Sequence, residues 1–173
     1  MKKRIIAFFL LITAVLSLSA CGGNTDAPTG MQRASGEIAD YYFYVPGNWI
    51  VDMSTGISSA YCSAADKTNV SVTSFALSEG EMTAEEYWEQ NKDEYAGLFS
   101  EMSEPEVKDT KLDGLDAKQY TYTVNAGGAQ YKILQIFCVR NNSVYVLTYT
   151  ATPEKFEEHF PKLEIMIAEF RFM

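Results

Sequence analysis

Histidine is nearly absent from this chain: 173 residues contain one, His159. A Ser-His-Asp or Cys-His relay would have to be built around that residue, with a nucleophile and an orienting group in reach. No nucleophile elbow or related local signature accompanies it. Cysteine is scarce too, with Cys21, Cys62 and Cys138. Three do not make a disulfide-dense scaffold, and two cysteines without supporting histidines do not make a zinc site. Positive charge is short: three of the 14 basic residues precede Cys21 and all 23 acidic ones follow it, so the chain from Cys21 onward carries −12. Long-range repulsion makes nucleic acid and anionic lipid poor partners for such a chain. Solubility alone also accounts for the charge. The chain also lacks the stretch of about 20 apolar residues that a permanent membrane span needs.

What is there begins with a shorter apolar run. Lys2, Lys3 and Arg4 precede twelve mostly apolar residues, Ile5 to Leu16, and Ser17 to Ala20 are mostly small. That is the pattern of a secretory signal peptide over 1–20. Its last residues with the next, Leu18-Ser19-Ala20-Cys21, resemble the lipobox of bacterial lipoproteins. The resemblance implies a diacylglyceryl group on the Cys21 thiol, cleavage before it, and membrane lipid as a partner through the acylated cysteine. Two or more acyl chains hold stably where one binds marginally. The alternative is an ordinary signal peptide that leaves Cys21 a free thiol.

Residues 21–37 then read as the lipidated cysteine and a flexible tether, rich in Gly, Ser, Thr and Ala. The folded domain is expected over 38–173, a length that suits one core. Cys62 and Cys138 lie in apolar or small surroundings, "SAYCSA" and "LQIFCVR". An extracytoplasmic location permits a disulfide between them, and those surroundings favour two unpaired thiols.

"YYFYVPGNWIVDM" reads as two short strands joined at Pro46-Gly47, and "SSAYCSA" and "NVSVTSFAL" as two more, with a turn over 66–69. Thr83 and Glu86 form a capping box that opens a helix over about 84–101. Tyr87, Trp88, Tyr95, Leu98, Phe99 and Met102 fall within an arc of about 120° on it, which marks a core-facing stripe. Turn residues at Asp113-Gly114, at Asn125-Ala126-Gly127-Gly128 and at Asn141-Asn142 separate β-rich runs and predict consecutive antiparallel hairpins. Tyr131 to Val139 and Val144 to Thr150 are apolar or aromatic on both parities, as in strands covered on both faces. Thr152-Pro153 opens a last helix with Phe156, Phe160, Leu163 and Ile167 on one face. His159 lies about 60° from the Phe156 direction, which predicts a satisfied, half-buried side chain. Asp109, Asp113 and Asp116 fail the calcium-loop spacing and read as a solvated hairpin tip.

The element order, with "FYVPGNW", "NVSVTSF", "TAEEYWE", "LDGLDAKQYTY", "VYVLTYTA" and "AEFRF", resembles the PsbP-like fold. Photosystem II extrinsic proteins, a Ran-binding import factor and many bacterial lipoproteins share that fold. The resemblance implies an α+β domain: a central antiparallel sheet of about six to eight strands with helices packed on both faces. Function transfers weakly, because one fold hosts unrelated functions. The expectation is a non-enzymatic accessory or binding domain for an envelope protein complex, with no cofactor or metal and no catalytic residue. A small-molecule or cell-wall-fragment binder is the alternative, and a hydrolase built on His159 a third reading.

Overall fold

The computed structural model describes residues 27–77 and 82–173. The expected signal peptide, Cys21 and the first part of the tether lie outside them. Among the described residues no helix is long and apolar enough to cross a membrane.

The chain runs β1 (Met31–Arg33), β2 (Tyr41–Tyr42), β3 (Tyr44–Pro46), β4 (Ile50–Asp52), β5 (Ser58–Tyr61), β6 (Asn69–Ala76), α1 (Ala84–Gly97), β7 (Glu101–Met102) and β8 (Glu106–Leu112). It continues through β9 (Leu115–Ala126), β10 (Ala129–Arg140), β11 (Ser143–Ala151), α2 (Pro153–Ala168) and β12 (Arg171–Phe172). Eight strands make one antiparallel sheet in the order β4-β5-β6-β11-β10-β9, with β7 and β8 both pairing β9 at the far edge. Two small ribbons, β1 with β3 and β12 with β2, complete the fold.

Three consecutive hairpins, β8-β9, β9-β10 and β10-β11, run from the far edge of the sheet into its centre, and each turn is written in its residues. Asp113 and Gly114, Gly127 and Gly128, and Asn141 and Asn142 all have positive φ. Two consecutive left-handed residues make the turn whose twist matches that of paired strands, and Gly, Asn and Asp tolerate that conformation best. The long strands that result are buried on alternate and on consecutive positions, as both-parity apolarity predicts: Ile133, Leu134, Ile136, Phe137 and Cys138 of β10 are all buried.

The sheet residues divide by parity. Leu134, Ile136 and Cys138 of β10 and Tyr145, Leu147 and Tyr149 of β11 pack in one cluster with Phe156, Leu163 and Met166 of α2. Ile133 and Phe137, with Val144 and Val146, pack in another cluster with Trp88 of α1. Trp88 stacks on Tyr120 at 4.1 Å between ring centroids and meets Phe137 edge-on at 5.6 Å. Within this second cluster a buried polar chain crosses three strands: Tyr122 Oη donates to Gln135 Oε1 at 2.8 Å and Gln135 Nε2 to Thr148 Oγ1 at 3.2 Å.

Three expectations need correction. The folded part begins before Ile38: Met31–Arg33 pairs with β3, and Ala34 and Ser35 are buried, so the tether cannot extend through residue 37. The Pro46-Gly47 turn forms, with Trp49 N–H donating to Pro46 O at 2.9 Å, but its flanking strands do not pair with each other. β3 pairs with β1 and β4 with β5, while Gln32 Nε2 bonds the carbonyls of Pro46 and Trp49, at 3.2 and 2.6 Å, and fastens β1 to the turn. The first helix stops at Gly97 rather than 101, because Ser100 N–H and Oγ both bond Asn125 O and Glu101–Met102 joins the sheet.

Candidate functional site

Asp66 sits in the loop between β5 and β6, and the loop's own hydrogen bonds aim its carboxylate. Cys62 N–H donates to Thr68 O at 2.8 Å and Ser63 N–H to Asp66 O at 3.0 Å, which closes the loop. Asp66 Oδ1 accepts the Thr68 N–H at 2.9 Å, an Asx-type turn, and that leaves Oδ2 facing α2. There His159 Nε2 meets it at 2.8 Å, with Cys62 Sγ 3.7 Å from the same ring nitrogen. Lys162, one turn along α2, donates from Nζ to His159 Nδ1 at 3.1 Å. Trp49 closes the ring's side edge-on, at 6.1 Å between centroids.

His159 is satisfied, as expected, and more buried than expected, at 4% exposure. The loop carrying Cys62 and Asp66 covers the flank that a bare helix would leave open. An ammonium has only donors, so Lys162 requires an acceptor at Nδ1, which puts the ring proton on Nε2 toward Asp66. Burial opposes the Asp66 charge, but the hydrogen bonds from Thr68 and His159 outweigh it and bring its pKa down to about 2. Burial, with the nearby Asp66 charge, pushes the Cys62 thiol up.

This geometry does not suit a thiol relay. In a working Cys-His-Asp arrangement one ring nitrogen takes the thiol proton while the other is oriented by the carboxylate. Here Cys62 and Asp66 share Nε2 and a lysine holds Nδ1, while the thiol is held in its protonated form. The hydrolase reading built on His159 loses its motivation at this point.

Among the described residues, the three His, Cys and Asp atoms of this cluster lie within 4.8 Å of one another. The carboxylates of the 109–116 stretch do not gather. Asp109 pairs with Lys118 at 2.8 Å, Asp116 with Lys111 at 2.7 Å, and Asp113 accepts the Phe172 N–H at 2.8 Å. Cys62 and Cys138 are both free thiols, Cys138 deep in the sheet where burial raises its pKa to about 11. Nothing in the sequence pointed to Cys62 and Asp66 as neighbours of His159. Those contacts span 97 and 93 residues.

A larger cleft of about 660 Å³ opens beside the start of α1, lined by Thr83, Glu85, Asp109 and Lys118 among others. Lys118 is bonded to Glu85 and Asp109 at 3.1 and 2.8 Å, so the charges that could greet a ligand are already engaged.

No protein-family model matches the sequence, and no curated protein sequence matches it. Solved structures do. The chain is similar to cyanobacterial PsbP from Synechocystis sp. PCC 6803, with a TM-score of 0.62 and 17% identity over 90% of this chain and 99% of that one. It is similar to PA94, a protein of unknown function from Pseudomonas aeruginosa, with a TM-score of 0.56 and 19% identity over 78% and 92%. It is similar also to LpqN, involved in cell envelope biogenesis of Mycobacterium tuberculosis, with a TM-score of 0.53 and 12% identity over 77% and 83%. At these identities the likeness is one of fold. The eight-stranded antiparallel sheet, its two helices and these neighbours together give the chain a PsbP-like fold.

Proposed function

We propose that this protein is a membrane-anchored extracytoplasmic lipoprotein, lipidated at Cys21, whose domain is a non-enzymatic accessory or binding module for an envelope protein complex. The observation that carries this is Leu18-Ser19-Ala20-Cys21 at the end of a basic, then apolar, leader. In this reading 1–20 is removed and the acylated Cys21 holds the chain to the outer face of the membrane. A leash that ends before Met31 presents the domain. The parity split of the two core clusters supports a sandwich with one helix over each face of the sheet.

The absence of catalysis is supported by the relay-incompatible geometry around His159. The envelope role named for LpqN adds support by analogy of fold alone. The −12 charge carried from Cys21 onward argues against nucleic acid.

In-cell crosslinking of the protein, tagged after Met173, followed by mass spectrometry, tests the reading beside a Cys21→Ala control. A reproducible partner captured only with the anchored form is the expected result. A monomer with nothing above background at native abundance would turn the reading toward a small ligand.

A further inference from the structure

We infer that Cys62, Asp66 and His159 form a binding site for one divalent transition-metal ion of the zinc type, clamping the β5–β6 loop onto α2. Three donor types meet there, a thiol sulfur, an imidazole nitrogen and a carboxylate oxygen, all within 4.8 Å of one another. Zinc-type ions take this mixture, at about 2.3 Å from sulfur and about 2.0–2.2 Å from nitrogen and oxygen, which sets tetrahedral donors roughly 3.4–3.5 Å apart. The sulfur-to-nitrogen and nitrogen-to-oxygen separations are 3.7 and 2.8 Å, on either side of that value. Side-chain movements of about an ångström would close the set around an ion. Calcium and magnesium prefer all-oxygen shells, so the thiol and imidazole select against them.

The surroundings bear on an ion as well. His159 is 4% exposed and locked between helix and loop, so its ring is already oriented. A cleft of about 340 Å³ lined by Asp66, Thr68, Thr152 and the lysines Lys67 and Lys155 lies on the carboxylate side. Glu158 Oε1 stands 3.7 Å from His159 Nε2, but its Oε2 is paired with Lys155 at 2.5 Å, so the fourth position is left to water. A dication held by one thiolate and one carboxylate leaves the site neutral, which removes the electrostatic objection to burying it.

Protons balance as follows. The Cys62 thiol releases one to solvent as it becomes the thiolate ligand, and the His159 proton moves through solvent from Nε2 to Nδ1. Lys162 must then leave Nδ1, since two donors would face each other, and its long side chain can swing to solvent. One proton is released per ion bound. The lysine is a competitor for the ring, so Lys162→Met strengthens binding.

The full chain, purified in detergent and titrated with Co²⁺, tests this. Expected are a thiolate-to-cobalt charge-transfer band saturating at one equivalent, its loss on adding Zn²⁺, its absence in Cys62→Ser, and tighter binding in Lys162→Met. Zn²⁺ should raise the unfolding temperature of the unmodified chain and Mg²⁺ at equal concentration should not. Failure of the band to form, its persistence in Cys62→Ser, or equal stabilisation by Mg²⁺ would each overturn the site. The last result would mean that cations only screen the acidic chain. None of these outcomes bears on whether the domain has a protein partner.

Discussion

Asp66 joins two elements with its two oxygens. One oxygen ends its own loop at the Thr68 N–H, and the other receives His159 from α2. Its pKa is lowered to about 2 in the folded protein, below the usual carboxylate value. The sign follows from linkage: a depressed folded-state pKa gives stability that is present in full above the unfolded-state value of about 3.9 and is lost as pH falls toward 2. For a partly exposed group the loss is about 1 kcal/mol after solvent screening. Urea unfolding between pH 5 and pH 2.5 should therefore show a steeper loss of stability in the native chain than in Asp66→Asn. Parallel curves would show that this carboxylate is not linked to folding. His159 itself was legible as a satisfied residue on the last helix, because helical periodicity places it beside Phe156. Its partners were not, since contacts across more than 90 residues leave no local pattern.

At the scale of elements, local chemistry decided most starts and turns. Thr83 accepts the Glu86 N–H at 3.1 Å while Glu86 Oε2 accepts the Thr83 N–H at 2.8 Å, the reciprocal pair that the two residues predict. Thr83→Ala removes one half of it and should cost about 1 kcal/mol, read as a lower urea midpoint at unchanged slope. No change in midpoint would mean that α1 is held by Trp88 and its aromatic neighbours alone. The three hairpin turns were equally readable, because left-handed backbone is confined to a few residue types. Pairing was less so. Gln32, in a stretch with the composition of a linker, ties that stretch to the Pro46-Gly47 turn through the carbonyls of Pro46 and Trp49, and β1 pairs with β3. Composition reports the cost of ordering a segment, and it is blind to a single side chain that finds two acceptors. The edge strand β8 is exposed over most of its length and carries Glu106, Lys108, Asp109 and Lys111. Charges of both signs along an edge discourage strand addition, so a partner is better sought on other surfaces.

For the whole molecule, location and fold are separate questions. The proposed anchor is covalent and local, so Cys21→Ala should move the protein from the membrane fraction to the soluble extracytoplasmic fraction without changing the unfolding temperature of its domain. Retention on the membrane by the variant would mean that something other than the acyl chains holds it. The sequence by itself determined the amphipathic helices, the hairpin turns and the two-sided character of β10 and β11, and it alone carries the proposal of a leader ending at Cys21. Each is a property of neighbouring residues or of a short period. Only the tertiary structure decided that β1 belongs to the domain, that the Pro46-Gly47 strands part company, and that Cys62, Asp66 and His159 meet. These depend on side chains brought together from distant parts of the chain by the burial of two aromatic cores, and no local propensity encodes that meeting.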